Sequence, residues 1–137
     1  MDGLSVAASV IAVIQITGSC LKLIKKWLGR SEFSASELSG LSAALYEFNG
    51  TMKTFQTHLE VYEDNDARLK SLECLTPVLE NCGKALGAIE GCLKRSSFLG
   101  SLRNMGVGKF DGRLKDSLKA LDRAKELFMM AVHADQQ

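Results

Sequence analysis

The sequence predicts an all-α fold, an antiparallel bundle of four main helices with one short extra helix. Three observations carry this. Large apolar residues recur at alternating spacings of three and four through most of the chain, the period of a helix with one buried face. The strict apolar-polar alternation of a half-buried strand is nearly absent. Proline, which interrupts helices, occurs once in 137 residues. That length fits a single domain spanning residues 1–137, large enough to bury a core without disulfides or metal.

The first helix is expected over residues 4–28. Gly3 through Leu21 carries no charge, and Val6, Val10 and Val13 together with Leu4, Ile11, Ile14 and Leu21 cover most of its circumference. Ser5, Ala8, Ala12, Gln15 and Ser19 make a small or weakly polar stripe. A helix apolar on nearly all sides is either enclosed in a core or sits in lipid. Nineteen uncharged residues span ~28 Å at 1.5 Å per residue, close to the hydrocarbon thickness of a bilayer. Lys22, Lys25, Lys26 and Arg30 follow, with Trp27 among them. That is the composition found where a membrane segment meets anionic headgroups.

The second helix, over residues 35–62, has an unbroken apolar series Leu38, Leu41, Leu45, Phe48, Met52, Phe55, Leu59 and Tyr62. Ser34 and Glu37 have the spacing of a capping box at its start, and the acidic stretch from Glu63 to Asp66 ends it. A second series runs Leu72, Leu75, Leu79, Cys82, Leu86, Ile89 and Leu93, interrupted by Pro77. Proline suits a first helical position and Thr76 is a competent N-cap. A short helix near 67–74 is therefore expected, then a restart and a main helix over 77–94. Residues 96–109 hold three glycines and read as a mobile connection. The last helix, over 111–133, turns Phe110, Leu114, Leu118, Leu121, Ala124, Phe128 and Ala131 inward and leaves Lys115, Lys119, Arg123 and Lys125 in solvent.

Composition narrows the function. Apolar residues make up 46% and charged residues 24%, near the globular average. The net charge of +1 hides a basic start (+3 over residues 1–30), an acidic middle (−6 over 31–80) and a basic end (+4 over 81–137). Basic ends around an acidic middle favour internal pairing over a nucleic-acid surface, so no nucleic-acid partner is expected. Cys20, Cys74, Cys82 and Cys92 form no C-x-x-C pair and read as reduced core residues of an intracellular protein. A secretory signal is not expected, because Asp2 stands where such a signal places Lys or Arg.

No catalytic constellation emerges, and neither a cofactor nor a metal is expected. His58 and His133, both expected at the surface, have no cysteine or carboxylate at ligand or triad spacing. Gly106-Val107-Gly108-Lys109 lacks the first glycine of a phosphate loop and has Phe110 where Ser or Thr would hold magnesium. Gly83, Gly87 and Gly91 recur every four residues, a spacing that permits close helix packing or self-association, although Lys84 and Glu90 argue against placing it in lipid.

Over residues 1 to about 135, the chain resembles the HeLo-like N-terminal domains of fungal STAND (NOD-like) receptors. The resemblance rests on "MDGLSVAASVIAVIQITGS" at the start, "LTPVLENCGKALGAIEGCL" in the third main helix and "LKALDRAKELFMMAVHAD" in the last. It implies a non-enzymatic helical-bundle domain similar in architecture to HET-S-type and mixed-lineage-kinase-like cell-death effectors of innate immunity and heterokaryon incompatibility. In membrane-toxic members the first helix is released on oligomerisation and permeabilises membranes. Carried over, the inserting residues are Leu4, Val6, Val10, Ile11, Val13, Ile14 and Leu21, with Lys22, Lys25, Lys26 and Arg30 on anionic headgroups. Pore-forming members often carry a glycine zipper in this segment; here the corresponding positions are Gly3, Ala7, Ala8 and Ala12. The implied partners are membrane lipids, further copies of the chain, and NTPase or ankyrin regions of a parent protein or partner receptor. The implied location is cytoplasmic at rest and membrane-associated when activated. The alternative is a soluble helical protein-protein interaction module.

Overall fold

A computed structural model describes residues 3–28, 35–61, 67, 70, 72–94 and 112–135. Four long helices account for nearly all of them: α1 Gly3–Leu28, α2 Ala35–Val61, α3 Thr76–Lys94 and α4 Gly112–Asp135. No strand occurs among the described residues. The expected capping hydroxyl of Ser34, the acidic turn 63–66, the connection 96–109, Tyr62, Phe110 and Arg30 lie outside the described residues, as do the side chains of Leu4, Trp27, Glu37 and Leu38.

The entry to α3 differs from expectation. Ala67 and Lys70 are helical, but Leu72–Leu75 forms a 3-10 turn that runs directly into α3 without a break. The helix starts at Thr76, and the Thr76 hydroxyl is buried without a hydrogen-bond partner, so it does not act as the expected N-cap. Pro77 is still tolerated, since it occupies the first turn, where no intrahelical acceptor awaits its missing N–H.

α1 packs against α2 and α3, and α4 packs against the same two helices. Neither α1 with α4 nor α2 with α3 forms a comparable packed pair. The four helices therefore form a ring in the order α1, α2, α4, α3, with the core along its axis. Ala44, Glu47 and Phe48 share one groove with Leu118, Leu121, Asp122 and Lys125, and Phe55 stacks on Phe128 further along. Positions on α2 and α4 thus advance together, and these two neighbours run parallel. The antiparallel sense expected of the bundle does not hold for every neighbouring pair.

The core follows the apolar series closely. Leu41, Leu45, Phe48, Met52, Phe55 and Leu59 of α2 are buried, as are Leu72, Leu75, Leu79, Cys82, Leu86, Ile89 and Leu93. In α4, Leu114, Leu121, Ala124 and Phe128 are buried, but Leu118 is only half-buried, and Val132 replaces Ala131 at the inner end of the stripe. A helix of 3.6 residues per turn drifts by about 20° per heptad against a 3.5-residue pattern, roughly half a residue over this length, and five full turns after Leu114 the inward position is Val132. Two surface expectations also change. His58 is half-buried, and Lys125 is drawn out of solvent into the α2–α4 seam.

Candidate functional site

α1 holds the residues with a functional reading. Its buried residues are Val6, Val10, Val13, Thr17, Cys20 and Ile24, spaced four and three alternately along one line. That spacing keeps one seam facing the bundle axis. The helix is not enclosed, contrary to one reading of its sequence. It occupies a corner of the ring, and its other side is left to solvent.

The structure divides the expected membrane-inserting residues into three groups. Val6, Val10 and Val13 are in the seam, Ile14 and Leu21 are half-buried at its edges, and Ile11 is 45% exposed on the outer side. The span Val6–Lys26 has a mean hydropathy of 1.8, long and apolar enough to cross a bilayer, and 33% of it is buried in the bundle. A core helix of a soluble protein or a signal sequence meets the same criterion.

Two polar groups sit in the seam, and both are satisfied. Thr17 is fully buried, and its hydroxyl donates to the Val13 carbonyl one turn back at 2.7 Å. The Cys20 thiol donates across to the Leu86 carbonyl of α3 at 3.6 Å. Sequence reading placed neither contact. Thr17 was nevertheless legible, lying four residues after Val13 and three before Cys20, at the seam's own spacing.

At the C-terminal end of α1, Lys22, Lys25 and Lys26 are all exposed. No salt bridge among the described residues engages any of them. Lys25 and Lys26 also lie in the last turn, where positive charge complements the helix dipole, so they favour the helix whatever else they meet.

Gly83, Gly87 and Gly91 lie along one flank of α3. A Cβ added at any of them meets nothing within 4 Å. No described helix is seated against them, so the expected close packing is not made among the described residues.

The cysteines separate by environment. Cys20 and Cys82 are buried, Cys92 is half-buried and Cys74 is exposed, so only two of the four belong to the core, and none is in a disulfide. Burial pushes the Cys82 thiol from the ordinary 9.0 up to about 12, which keeps it protonated and unreactive.

An open groove of about 360 Å³ between α2 and α4 is lined by Glu47, Thr51, Lys125, Glu126 and Met129. Its single cation is already paired. Lys125 Nζ reaches Glu47 Oε2 at 3.2 Å and Asp122 Oδ1 at 3.4 Å. Among the described residues no three His, Cys, Asp or Glu side chains gather as a metal site. No family model, curated protein or solved structure matches the chain.

Proposed function

We propose that the chain is a non-enzymatic signalling domain of the HeLo-like type, a cell-death effector within a fungal NOD-like receptor system. α1 is held in the bundle at rest and is released to target or permeabilise membranes on oligomerisation. One observation carries the proposal: the one described helix long and apolar enough to cross a bilayer leaves an apolar outer side to solvent, with Ile11 45% exposed. Release requires α1 to separate from α2, from α3 and from the 3-10 turn Leu72–Leu75.

The chemistry of the seam supports this reading. It is made of valines, a threonine, a cysteine and an isoleucine, where α2 offers Leu41, Leu45, Phe48, Met52, Phe55 and Leu59. Ile14, Ile16, Leu21 and Leu23 are partly buried against the core beside the seam, so α1 is held by apolar burial, worth about 25 cal/mol per Å². Lipid replaces that burial, because a hydrocarbon interior serves as a similar solvent. In the proposed cycle the domain is cytoplasmic at rest, and NTPase or ankyrin regions of a parent protein or partner receptor supply the oligomerising signal.

The test is forced oligomerisation of the full chain through a fused, inducible dimerising module in the presence of dye-loaded vesicles. The proposal expects flotation with the vesicles and dye release. Ile14→Ala, at a half-buried position, retains the fold by thermal melting and lowers the release. An oligomer that remains free of lipid overturns the proposal.

A second reading, a soluble interaction module, is favoured by one observation. The flank of Gly83, Gly87 and Gly91 is open, and a partner helix can approach the α3 backbone there closely. On this reading, oligomerised chains bind one another and never lipid.

A further inference from the structure

The outer side of α1 has a chemistry distinct from its seam. Ala8, Ile11, Ala12 and Gln15 are exposed along the outside of its first half, with no charge among them. Lys22, Lys25 and Lys26 continue the exposed surface into its last turns. From Ala8 to Lys26 the strip is ~27 Å long at 1.5 Å per residue. α1 contains no acidic residue anywhere from Gly3 to Leu28, and no described carboxylate pairs with the three lysines.

We propose that the folded bundle, with α1 still in place, docks on an anionic lipid surface through this outer strip. Ile11 enters the interfacial region and Lys22, Lys25 and Lys26 contact the headgroups. The inference rests on the reading of α1 as the membrane-directed element, and it adds an encounter step that precedes release.

Two arguments select lipid over a protein partner. The strip is uniformly cationic and uncharged elsewhere, complementary to a surface of one sign, and each lysine near such a surface strengthens binding about fivefold. Among the described residues it also lacks what protein interfaces use: no Trp, Tyr or Arg is among its exposed side chains, and lysine is depleted from protein-protein contacts. Ala8 and Ala12 leave it flat, so that among the described residues Ile11, 45% exposed, is the large apolar side chain protruding from it. A planar lipid interface suits such a shape better than a partner that needs pockets filled.

The experiment uses the full chain without any oligomerising module. Co-sedimentation is measured with vesicles of phosphatidylcholine alone and of phosphatidylcholine with phosphatidylserine. Binding is expected only with phosphatidylserine, weakening as salt rises. The combined variant Lys22→Gln, Lys25→Gln, Lys26→Gln is expected to lose about a hundredfold or more, at about fivefold per lysine. Ile11→Ser, on an exposed position, is expected to retain the fold and bind several-fold more weakly. Amide hydrogen exchange at Val10 and Val13 should remain as slow on vesicles as in solution, because the seam stays closed.

Equal binding to both vesicle types, binding unaffected by the lysine substitutions, or fast exchange at Val10 and Val13 in the bound state each overturns the docking step. Capture by a protein with no affinity for anionic vesicles overturns it also. Dye release on forced oligomerisation, without binding by the single-copy protein, removes the docking step and leaves the release reading intact. Binding by the single-copy protein without dye release on forced oligomerisation has the opposite outcome.

Discussion

Cys82 shows how a single side chain reports on the core around it. Its thiol ionises near 9.0 when the chain is unfolded and at about 12 when folded, because burial disfavours the thiolate. Between those values the unfolded chain has lost a proton that the folded one retains, so stability is complete below pH 9 and falls as pH rises toward 12. Urea melts across that range should show the decline, and Cys82→Ala should lessen it, leaving the part due to Cys20, whose buried thiol is likewise pushed up to about 12. At pH 8, a thiol reagent should label the exposed Cys74 within seconds and Cys82 only as fast as the bundle opens. The Lys125–Glu47 pair works in the same direction with less weight. Glu47 raises the Lys125 ammonium above its usual value, chiefly by hydrogen bonding, and that contribution also disappears as alkali strips the proton. Both side chains are partly exposed, so a double-mutant cycle with Glu47→Gln and Lys125→Met should give about 0.5 kcal/mol at low salt and less at high salt.

At the scale of the helix, α3 carries a cost that no packing among the described residues offsets. Glycine in a helix interior is worse than alanine by about 0.8–1 kcal/mol, and the space beside Gly83, Gly87 and Gly91 is open. Each Gly→Ala change should therefore raise stability by about 0.5–1 kcal/mol, read as a higher melting temperature. If the flank serves as a contact between copies, the same changes will weaken self-association in analytical ultracentrifugation while still raising the melting point. α1 shows a different limit of helix-scale reading. Its apolar residues lie on nearly every side, so periodicity alone did not identify its buried line. Val6, Val10, Val13, Thr17, Cys20 and Ile24 became that line only because α2 and α3 approach from one side. In α2, where polar residues separate the apolar ones, the buried stripe was legible residue by residue.

For the whole molecule, the pair formed by Phe55 and Phe128 is the test of cooperativity. Their rings lie 5.0 Å apart, inclined at 36°, and both side chains are fully buried between the parallel α2 and α4. Phe128→Ala should cost about 3–5 kcal/mol, a large share of the roughly 5–15 kcal/mol that holds a domain folded. Denaturant titration followed by circular dichroism should show a single transition moved to lower urea, because all four helices share the same core. A transition that splits in two would show instead that α1 opens independently of the other three helices.

By itself the sequence determined four long helices, the buried faces of α2 and α3, the uncharged run of α1 and its basic end. These are local properties. An apolar period of 3.6 residues specifies a helix and its inward side wherever polar residues mark the outward one. Tertiary structure decided the ring order, the parallel run of α2 and α4, and the corner position of α1. It also drew Lys125 into a seam, left Cys74 and Ile11 exposed and carried the inner position of α4 from Ala131 to Val132. Each of these depends on which helix approaches which, and that is set by packing among residues far apart in the chain. For α1 this distinction bears on function: its composition fits a core and a membrane equally, and only its neighbours determine which side is held and which is offered to solvent.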